Sequence, residues 1–217
     1  MHTITFALAK GRLAKITMEM LKALGITCKE MEDKSRKLLF TSDDGQYKFF
    51  LSKAQDVPTY VDYGVADIGI VGKDTIVEEN RNVYEVLDLH FGCCKMAIAG
   101  EPHKKALLES GKSIRVATKY PRIAKEYFES QNRSVEIIKL NGSVELGAIV
   151  GLSDVIVDIV ESGATLRENG LVVLQEIMPL SARVIVNMAS MKVKHKEVDH
   201  FVKQLRRVLE HPDDGVK

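Results

Sequence analysis

The sequence predicts an α/β protein built as two α/β lobes around a central cleft. Three observations carry this expectation. Apolar β-branched runs alternate along the chain with amphipathic stretches, the pattern of parallel strands joined by helices. One such run, Val155-Ile156-Val157-Asp158-Ile159-Val160, passes directly into the tight turn Glu161-Ser162-Gly163-Ala164-Thr165. Two short patterns also recur. Ile4, Ala7, Arg12, Leu13 and Ala14 return at an offset of 110 as Ile114, Ala117, Arg122, Ile123 and Ala124, and Gly64-Val65-Ala66-Asp67-Ile68 returns at an offset of 87 as Gly151-Leu152-Ser153-Asp154-Val155. Unequal offsets describe similar lobes rather than copies. Strand ends from two such lobes are expected to point into one cleft, a usual ligand site, and such lobes commonly close by hinge motion.

Composition narrows the function classes. The 217 residues suffice for two small lobes. With 31 Lys+Arg against 30 Asp+Glu, the net charge of +1 offers no global field for nucleic acid or an anionic membrane. Cys28, Cys93 and Cys94 form no CxxC and no Cys/His metal spacing, so they read as thiols in a reducing cytosol, and a cytoplasmic location is expected. The N-terminal apolar run has no basic leader and reads as a strand, not a signal peptide. No apolar run approaches the length of a membrane span.

In chain order, residues 4–8 read as a strand and Ala9-Lys10-Gly11-Arg12-Leu13 as the turn after it. A helix over 16–24 follows, with Ile16, Met20 and Leu24 on one face and Gly25 closing it. Open α/β sheets bind ligands at the C-terminal ends of their strands. Lys10, Gly11 and Arg12 are therefore candidates for an anionic ligand; the alternative is a solvated basic turn. Strands over 37–41 and 47–53 flank the turn Ser42-Asp43-Asp44-Gly45. Asp56 fits an N-cap with Pro58 in the first helical turn. Residues 64–74 read as a strand ending in the Gly72 turn, and a helix follows over 75–80. Strands over 83–87 and 94–99, a helix over 104–110, a strand over 114–118, a helix over 123–131 and a strand over 135–140 come next. Asn141-Gly142-Ser143 caps a helix over 144–150. After the 161–165 turn, a short helix is stopped by Gly170. Strands over 171–174 and 182–186 precede an amphipathic helix over 196–209, whose apolar face is Val198, Phe201, Val202, Leu205 and Leu209.

The 161–165 turn has the chemistry of a phosphate cradle. Ser162, Gly163, Ala164 and Thr165 expose backbone N–H groups at a helix start, and two of them add hydroxyls. Asp154, Asp158 and Glu161 lead into it. Acids beside a phosphate loop suit a polyhydroxylated sugar or a magnesium ion on a pyrophosphate. The plain alternative is an ordinary βα turn with a Ser or Thr N-cap.

Six motifs taken together resemble the ATP phosphoribosyltransferase family, which begins histidine biosynthesis. They are Leu8-Ala9-Lys10-Gly11-Arg12-Leu13, Ser35-Arg36-Lys37-Leu38, Asp56-Val57-Pro58-Thr59-Tyr60-Val61, Ala66-Asp67-Ile68-Gly69-Ile70-Val71-Gly72-Lys73-Asp74, Leu140-Asn141-Gly142-Ser143-Val144-Glu145 and Asp158-Ile159-Val160-Glu161-Ser162-Gly163-Ala164-Thr165-Leu166. They occur in the family's order. The resemblance implies a fold similar to type II periplasmic binding proteins, with one lobe over 1–91 and 183–217 and the other over 92–182. It implies attack by adenine N1 of ATP on C1 of phosphoribosyl pyrophosphate (PRPP), with Mg2+ on the substrate phosphates. Lys10, Arg36 and Lys53 become candidate catalytic cations. Gly11, Arg12, Gly72, Asp154, Asp158, Glu161, Ser162, Gly163, Ala164 and Thr165 become candidate substrate-binding residues, with the 161–165 loop on the PRPP 5-phosphate.

Three positions depart from the family pattern. Ala9 stands where proline is frequent and His90 where glycine is more usual. Lys53 stands where many members have arginine, which keeps the charge and loses a bidentate fork. Pro212 and Gly215 are expected to end the last helix, leaving a tail too short for a further domain. The resemblance then implies the short form of the enzyme: a homodimer within a hetero-oligomer that includes a regulatory subunit related to histidyl-tRNA synthetase. A ligand-binding sensor built on the same lobes is the alternative from another class.

Overall fold

The run Ile4-Thr5-Phe6-Ala7-Leu8-Ala9 forms a strand buried on both faces, as its near-continuous apolar sequence dictates. The computed structural model describes residues 3–31 and 37–210. Arg36 and the tail with Pro212 and Gly215 lie outside the described residues. In chain order the elements are β1 (Ile4–Ala9), α1 (Arg12–Ala23), β2 (Leu39–Thr41), β3 (Tyr47–Ser52), α2 (Val57–Asp62), β4 (Ile68–Gly72), α3 (Lys73–Glu79), β5 (Val83–Asp88), β6 (Cys94–Gly100), α4 (Lys105–Glu109) and β7 (Ile114–Thr118). They continue as α5 (Pro121–Ser130), β8 (Val135–Lys139), α6 (Glu145–Ile149), β9 (Val155–Val160), α7 (Ala164–Glu168), β10 (Val172–Leu180), β11 (Ala182–Asn187), α8 (Ser190–Val193) and α9 (His195–Glu210). The chain divides into two compact units, Met1–Gly92 with Ser181–Lys217, and Cys93–Leu180.

The first unit holds a six-stranded sheet in the order β2-β3-β1-β4-β11-β5. β1 runs parallel to β3 and β4, while β11 is antiparallel to β4 and β5. On one face Phe6 stacks on Phe49 at 5.2 Å and meets Phe201 of α9 edge-on at 5.0 Å. The helix α9 supplies this partner because Val198, Phe201 and Leu205 of its predicted apolar face are buried. The other face packs Ala7 and Ile185 against Val57 and Val61 of α2.

The second unit holds a five-stranded sheet in the order β10-β6-β9-β7-β8. β7 runs parallel to β8 and β9, with β6 antiparallel to β9 and β10 antiparallel to β6. This repeats β3-β1-β4-β11-β5 strand for strand. The offset of 87 is visible bond by bond. Tyr63 N–H donates to Thr59 O at 3.0 Å as Val150 N–H does to Leu146 O, and Ala66 N–H donates to Tyr60 O at 3.0 Å as Ser153 N–H does to Gly147 O. Asp67 and Asp154 then occupy the same place in their units. Asp67 Oδ2 accepts Thr5 N–H at 2.8 Å, and Asp154 Oδ2 accepts Arg115 N–H at 2.9 Å. Each carboxylate also faces a lysine: Lys194 Nζ lies 2.8 Å from Asp67, and Lys104 Nζ 3.3 Å from Asp154. A strand entry is thus tied to its neighbour by one side chain in both units.

Several elements differ from the sequence expectations. α1 begins at Arg12 because Gly11, at φ 102° and ψ −143°, takes a conformation open essentially to glycine and turns the chain straight out of β1. The early start sets the buried stripe at Ala14, Thr17 and Leu21, leaving Ile16, Met20 and Leu24 half-buried beside it. β4 starts only at Ile68, since residues 64–66 turn back onto the end of α2. α3 starts at Lys73 and α5 at Pro121, whose fixed φ suits a first helical position. Asp56 precedes α2 without capping it through its side chain. β10 extends to Leu180, and α8 was not expected.

The Asp154 carboxyl is held below the ordinary carboxylate range, first by the Arg115 N–H, against the upward pull of burial, and then by Lys104 and the Arg115 charge. A depressed folded value contributes stability that is present above the unfolded value near ~3.9 and is lost as pH falls through the folded one. Asp154→Asn should therefore lower the unfolding free energy by about 1–3 kcal/mol at pH 7. The deficit should shrink as pH falls below about 4, where the unfolded carboxyl takes up its proton first and the native one only at lower pH. Urea midpoints at pH 7 and pH 3 check both statements; equal midpoints at pH 7 would refute them.

Candidate functional site

Parallel strands end on the same edge of a sheet, and in the first unit that edge gathers Lys10, Arg12 and Lys53. The β1–β3 register runs from Ile4↔Tyr47 to Ala9↔Ser52, and Lys10 N–H continues it by donating to Ser52 O at 2.9 Å. Lys10 and Lys53 therefore stand side by side just past the ends of β1 and β3. β4, the other parallel neighbour of β1, ends at Gly72. Lys10, Gly11, Arg12 and Lys53 are all exposed. Lys53 is extended (φ −62°, ψ 147°), and its carbonyl accepts Asp56 N–H at 3.0 Å, which fixes the exit from β3. At Gly72 a Cβ would fall 2.1 Å from Asp74 Oδ1, so the Asp74 carboxylate folds over the glycine.

His90, one of the departures from the family pattern, has φ 53°, and its N–H donates to Asp88 Oδ1 at 2.9 Å. Its ring is exposed. The Asp88 carboxyl is pulled upward by burial, yet sits below its ordinary range because the His90 N–H, the Ser181 hydroxyl and the Arg183 charge hold the anion. Cys28 is buried and donates to Thr41 O at 3.2 Å, and burial pushes its thiol up.

In the second unit a cavity of about 290 Å³ opens at the end of β9. It is lined by Asp158, Glu161, Ser162, Gly163, Thr165 and Glu145, with Ile156 and Ala99 at its floor. Gly163 caps α7 at φ 70° and ψ 12°, in the left-handed region. A Cβ there would lie 3.2 Å from Arg167 Nη1 and 3.7 Å from Val160 Cγ1. The loop is braced from its own helix. Arg167 Nη1 donates to Ser162 O at 2.9 Å, Asn169 Nδ2 donates to Thr165 O at 2.8 Å, and Ser162 Oγ accepts Ala164 N–H at 3.3 Å. The first N–H groups of a helix have no partner inside it, so the braced loop offers fixed donors beside two hydroxyls. A tetrahedral anion fits such a set.

The structure brings Asp158 and Glu161 to this cavity and places Asp154 elsewhere. Asp154 precedes β9, and at ~3.3 Å per residue it stands roughly 20 Å from Glu161 along the strand. Its oxygens are engaged by Arg115 and Lys104. Arg36 lies outside the described residues. Sequence reasoning missed three residues. Glu145, quoted only within a motif, lines the cavity from the first turn of α6. Arg167 and Asn169 hold the loop; their spacing of five and four residues from Ser162 and Thr165 on a short helix was the available signal.

A family model described as ATP phosphoribosyltransferase matches residues 53–207. An ATP phosphoribosyltransferase from Lachnoclostridium phytofermentans is 63% identical over 211 residues, covering 96% of this chain and 98% of its own length. Among solved structures, a chain of the ATP phosphoribosyl transferase (HisG:HisZ) complex from Thermotoga maritima superposes with a TM-score of 0.81 at 36% identity, covering 96% of this chain and 100% of that one. The substrate-binding protein of an amino acid ABC transporter superposes with a TM-score of 0.60 at 13% identity, over 98% of this chain and 95% of that one, and shares the fold.

Gly163→Val would force a β-branched side chain to positive φ, at a cost of about 1–2 kcal/mol. It should also abolish the calorimetric heat of ribose 5-phosphate binding. Arg167→Ala should weaken that binding about tenfold by releasing Ser162, the loss of one hydrogen bond from a charged group, ~1.5 kcal/mol. Unchanged binding in both variants would separate the loop from the anion site.

Proposed function

The chain belongs to the ATP phosphoribosyltransferase family, and from that premise we propose how its residues divide the work of the reaction. The reaction is the first step of histidine biosynthesis, the condensation of ATP with PRPP to N1-(5-phosphoribosyl)-ATP and pyrophosphate. The observation that carries this reading is 63% identity over nearly the full length of an ATP phosphoribosyltransferase.

Adenine N1 attacks C1 of PRPP. A C–N bond forms, the C1–O bond breaks, and pyrophosphate departs with the bonding pair. The nucleophile is a neutral ring nitrogen, so the task is positioning and stabilisation of departing charge. The 161–165 loop holds the 5-phosphate through its helix-start N–H groups and the Ser162 and Thr165 hydroxyls. Gly163 lets the backbone approach the phosphate. Asp158, Glu161 and Glu145 accept from ribose hydroxyls, which places the anomeric carbon. Lys10, Lys53, Arg12 and Arg36 are proposed to take the charge of the pyrophosphate and triphosphate. Gly11, with nothing within 4 Å of a Cβ there, keeps the end of β1 open to these groups, whereas Gly72 makes room for the Asp74 carboxylate. Asp154 belongs to the scaffold.

Mg2+ is proposed to arrive on the substrate phosphates. Such an ion keeps several waters and takes only one or two carboxylates, and the cavity that carries Asp158 and Glu161 fits that demand. When bound, it neutralises phosphate charge. The chain is further proposed to be the short form, self-associating and paired with a regulatory subunit that confers control by histidine. Its near-complete coverage of the relatives' length and its likeness to the Thermotoga complex chain support this. A cytoplasmic location fits the proposal. No helix among the described residues is long and apolar enough to cross a membrane.

Pyrophosphate release should require ATP, PRPP and Mg2+ together, and chelation should stop it. Lys10→Ala should lower kcat about tenfold or more, the worth of one charge-assisted contact of ~1.5–3 kcal/mol, with a smaller change in the PRPP KM. An unchanged kcat with a raised KM would confine Lys10 to ground-state binding.

A further inference from the structure

The cavity at the exit of β9 presents carboxylates to an anionic substrate. Glu145, Asp158 and Glu161 line it, and among the described residues no lysine or arginine does. The substrate assigned to it carries a 5-phosphate at one end and a pyrophosphate at the other. The loop, with its N–H groups and hydroxyls, meets the first charge. The second needs a cation from outside the lining, and the adjacent strand of the same sheet supplies one.

β7 runs parallel to β9, with Ala117 beside Ile156 and Thr118 beside Val157. The next residues are Lys119 and Asp158. Side chains alternate between the two faces of a sheet. Ala117 and Ile156 pack in one cluster with Ala99 and Val144, so Lys119 and Asp158, each two residues further on, leave the sheet on that same face. It is the face of the cavity, whose floor is Ile156 and Ala99. Helix α6 covers it closely: a Cβ on Gly147 would fall 2.9 Å from Ala117 Cβ. Glu145, two residues nearer the start of that helix, is therefore on the Lys119 side of the cavity.

The end of β7 is fixed by one buried hydroxyl. Thr118 Oγ1 donates to Val157 O on β9 at 2.7 Å and accepts Tyr120 N–H at 2.8 Å. Thr118 O accepts Leu140 N–H at 2.9 Å. Lys119 is held between these bonds, half-buried, with its ammonium 6.0 Å from the centroid of the Tyr120 ring. Other cations of this unit are committed elsewhere. Arg167 donates to Ser162 O, Arg122 meets Glu126 at 2.6 Å, and Lys95 pairs with Glu176. Lys139 stands beside Thr118 in the β7–β8 register and takes the opposite face. Among the described residues Lys119 makes no ion pair, although its strand position is beside Asp158.

We propose that the Lys119 ammonium binds the pyrophosphate on C1 of PRPP, and that Thr118 is the positioning residue that holds it there. The inference rests on the PRPP reading of the 161–165 loop and adds a contact to the leaving group from the second unit. A ribose ring separates the two anions of the ligand, so the second charge falls beside the loop rather than in it, and β7 is the strand that brings a cation to that place. When the C1–O bond breaks and its electron pair leaves with pyrophosphate, an ammonium already fixed there stabilises the departing charge.

The test is titration calorimetry of the purified full chain with PRPP and, separately, with ribose 5-phosphate, both with Mg2+ and without ATP. Lys119→Met should weaken PRPP binding by about tenfold or more and change ribose 5-phosphate binding by less than about twofold, because only PRPP carries the pyrophosphate. Lys119→Arg should recover most of the loss. Thr118→Val should weaken PRPP by roughly threefold, again sparing ribose 5-phosphate, and Thr118→Ser, which keeps the hydroxyl, should bind as wild type. Unchanged thermal melting of the Lys119 variants shows that they fold, and they decide the contact even if Thr118→Val does not. Equal weakening of both ligands by Lys119→Met would overturn the proposal, as would unchanged PRPP binding. Full PRPP affinity in a folded Thr118→Val would overturn the positioning role. A wild type that binds neither ligand would overturn the reading of the loop and this contact with it, a failure distinct from a wild type that binds PRPP as tightly as its Lys119→Met variant.

Discussion

Parallel pairing of β1 with β3 and β4, and of β7 with β8 and β9, is the constraint on which the other features depend. Strands that run the same way end on the same edge, so residues far apart in sequence arrive together without a bond between their side chains. Lys10 and Lys53 become neighbours through the Ala9↔Ser52 register and the Lys10 N–H bond to Ser52. The register is locked from below. Phe6, Phe49 and Phe201 meet ring to ring, and a slip of one residue would turn Phe49 to the opposite face of the sheet. Parallel strands also require crossovers, which α1, α2, α5 and α6 provide; each helix delivers a loop to one edge and a turn to the other.

The two edges of each sheet have separate jobs, and one strand shows the division. β9 is entered at Asp154, whose carboxylate ties it to β7, and is left at Glu161, where the braced loop begins. Asp67 does the same for β4 and β1. A carboxylate that receives a backbone N–H and a lysine is satisfied where it stands, and moving it toward a ligand would forfeit both contacts. Entry-edge acids therefore stabilise the pairing where they stand, while Asp158 and Glu161 line the cavity at the exit of β9.

Most strands were legible because a buried parallel strand is a nearly unbroken apolar run. β1, β7 and β9 lie within about a residue of the expected spans. β10 was legible only in its first part. It is an edge strand with two register shifts, and Gln175, Glu176 and Pro179 are tolerated there as they would not be inside a sheet. The start of α1 was missed because Gly11 reads as part of a loop, whereas its backbone angles let the helix begin at once. At 161–165 the small residues announced a tight turn into a helix, which the structure has at Gly163 and α7. Asp154 stands at the entry of β9, engaged by Arg115 and Lys104, because a sequence shows that an acid precedes a strand but not what its carboxylate meets. Arg167 and Asn169 were missed because a residue that braces a loop touches only backbone, which leaves no chemical signature in the side-chain pattern.

The central claim is that chemistry in the second unit belongs to the exit of β9. The most direct measurement is the change in backbone amide NMR shifts when ribose 5-phosphate is titrated into the protein. Large changes confined to Ser162, Gly163, Ala164 and Thr165, with the Arg115 and Asp154 amides still, are the predicted result. Changes centred on Arg115, Asp154 and Lys104, with the loop silent, would contradict the account.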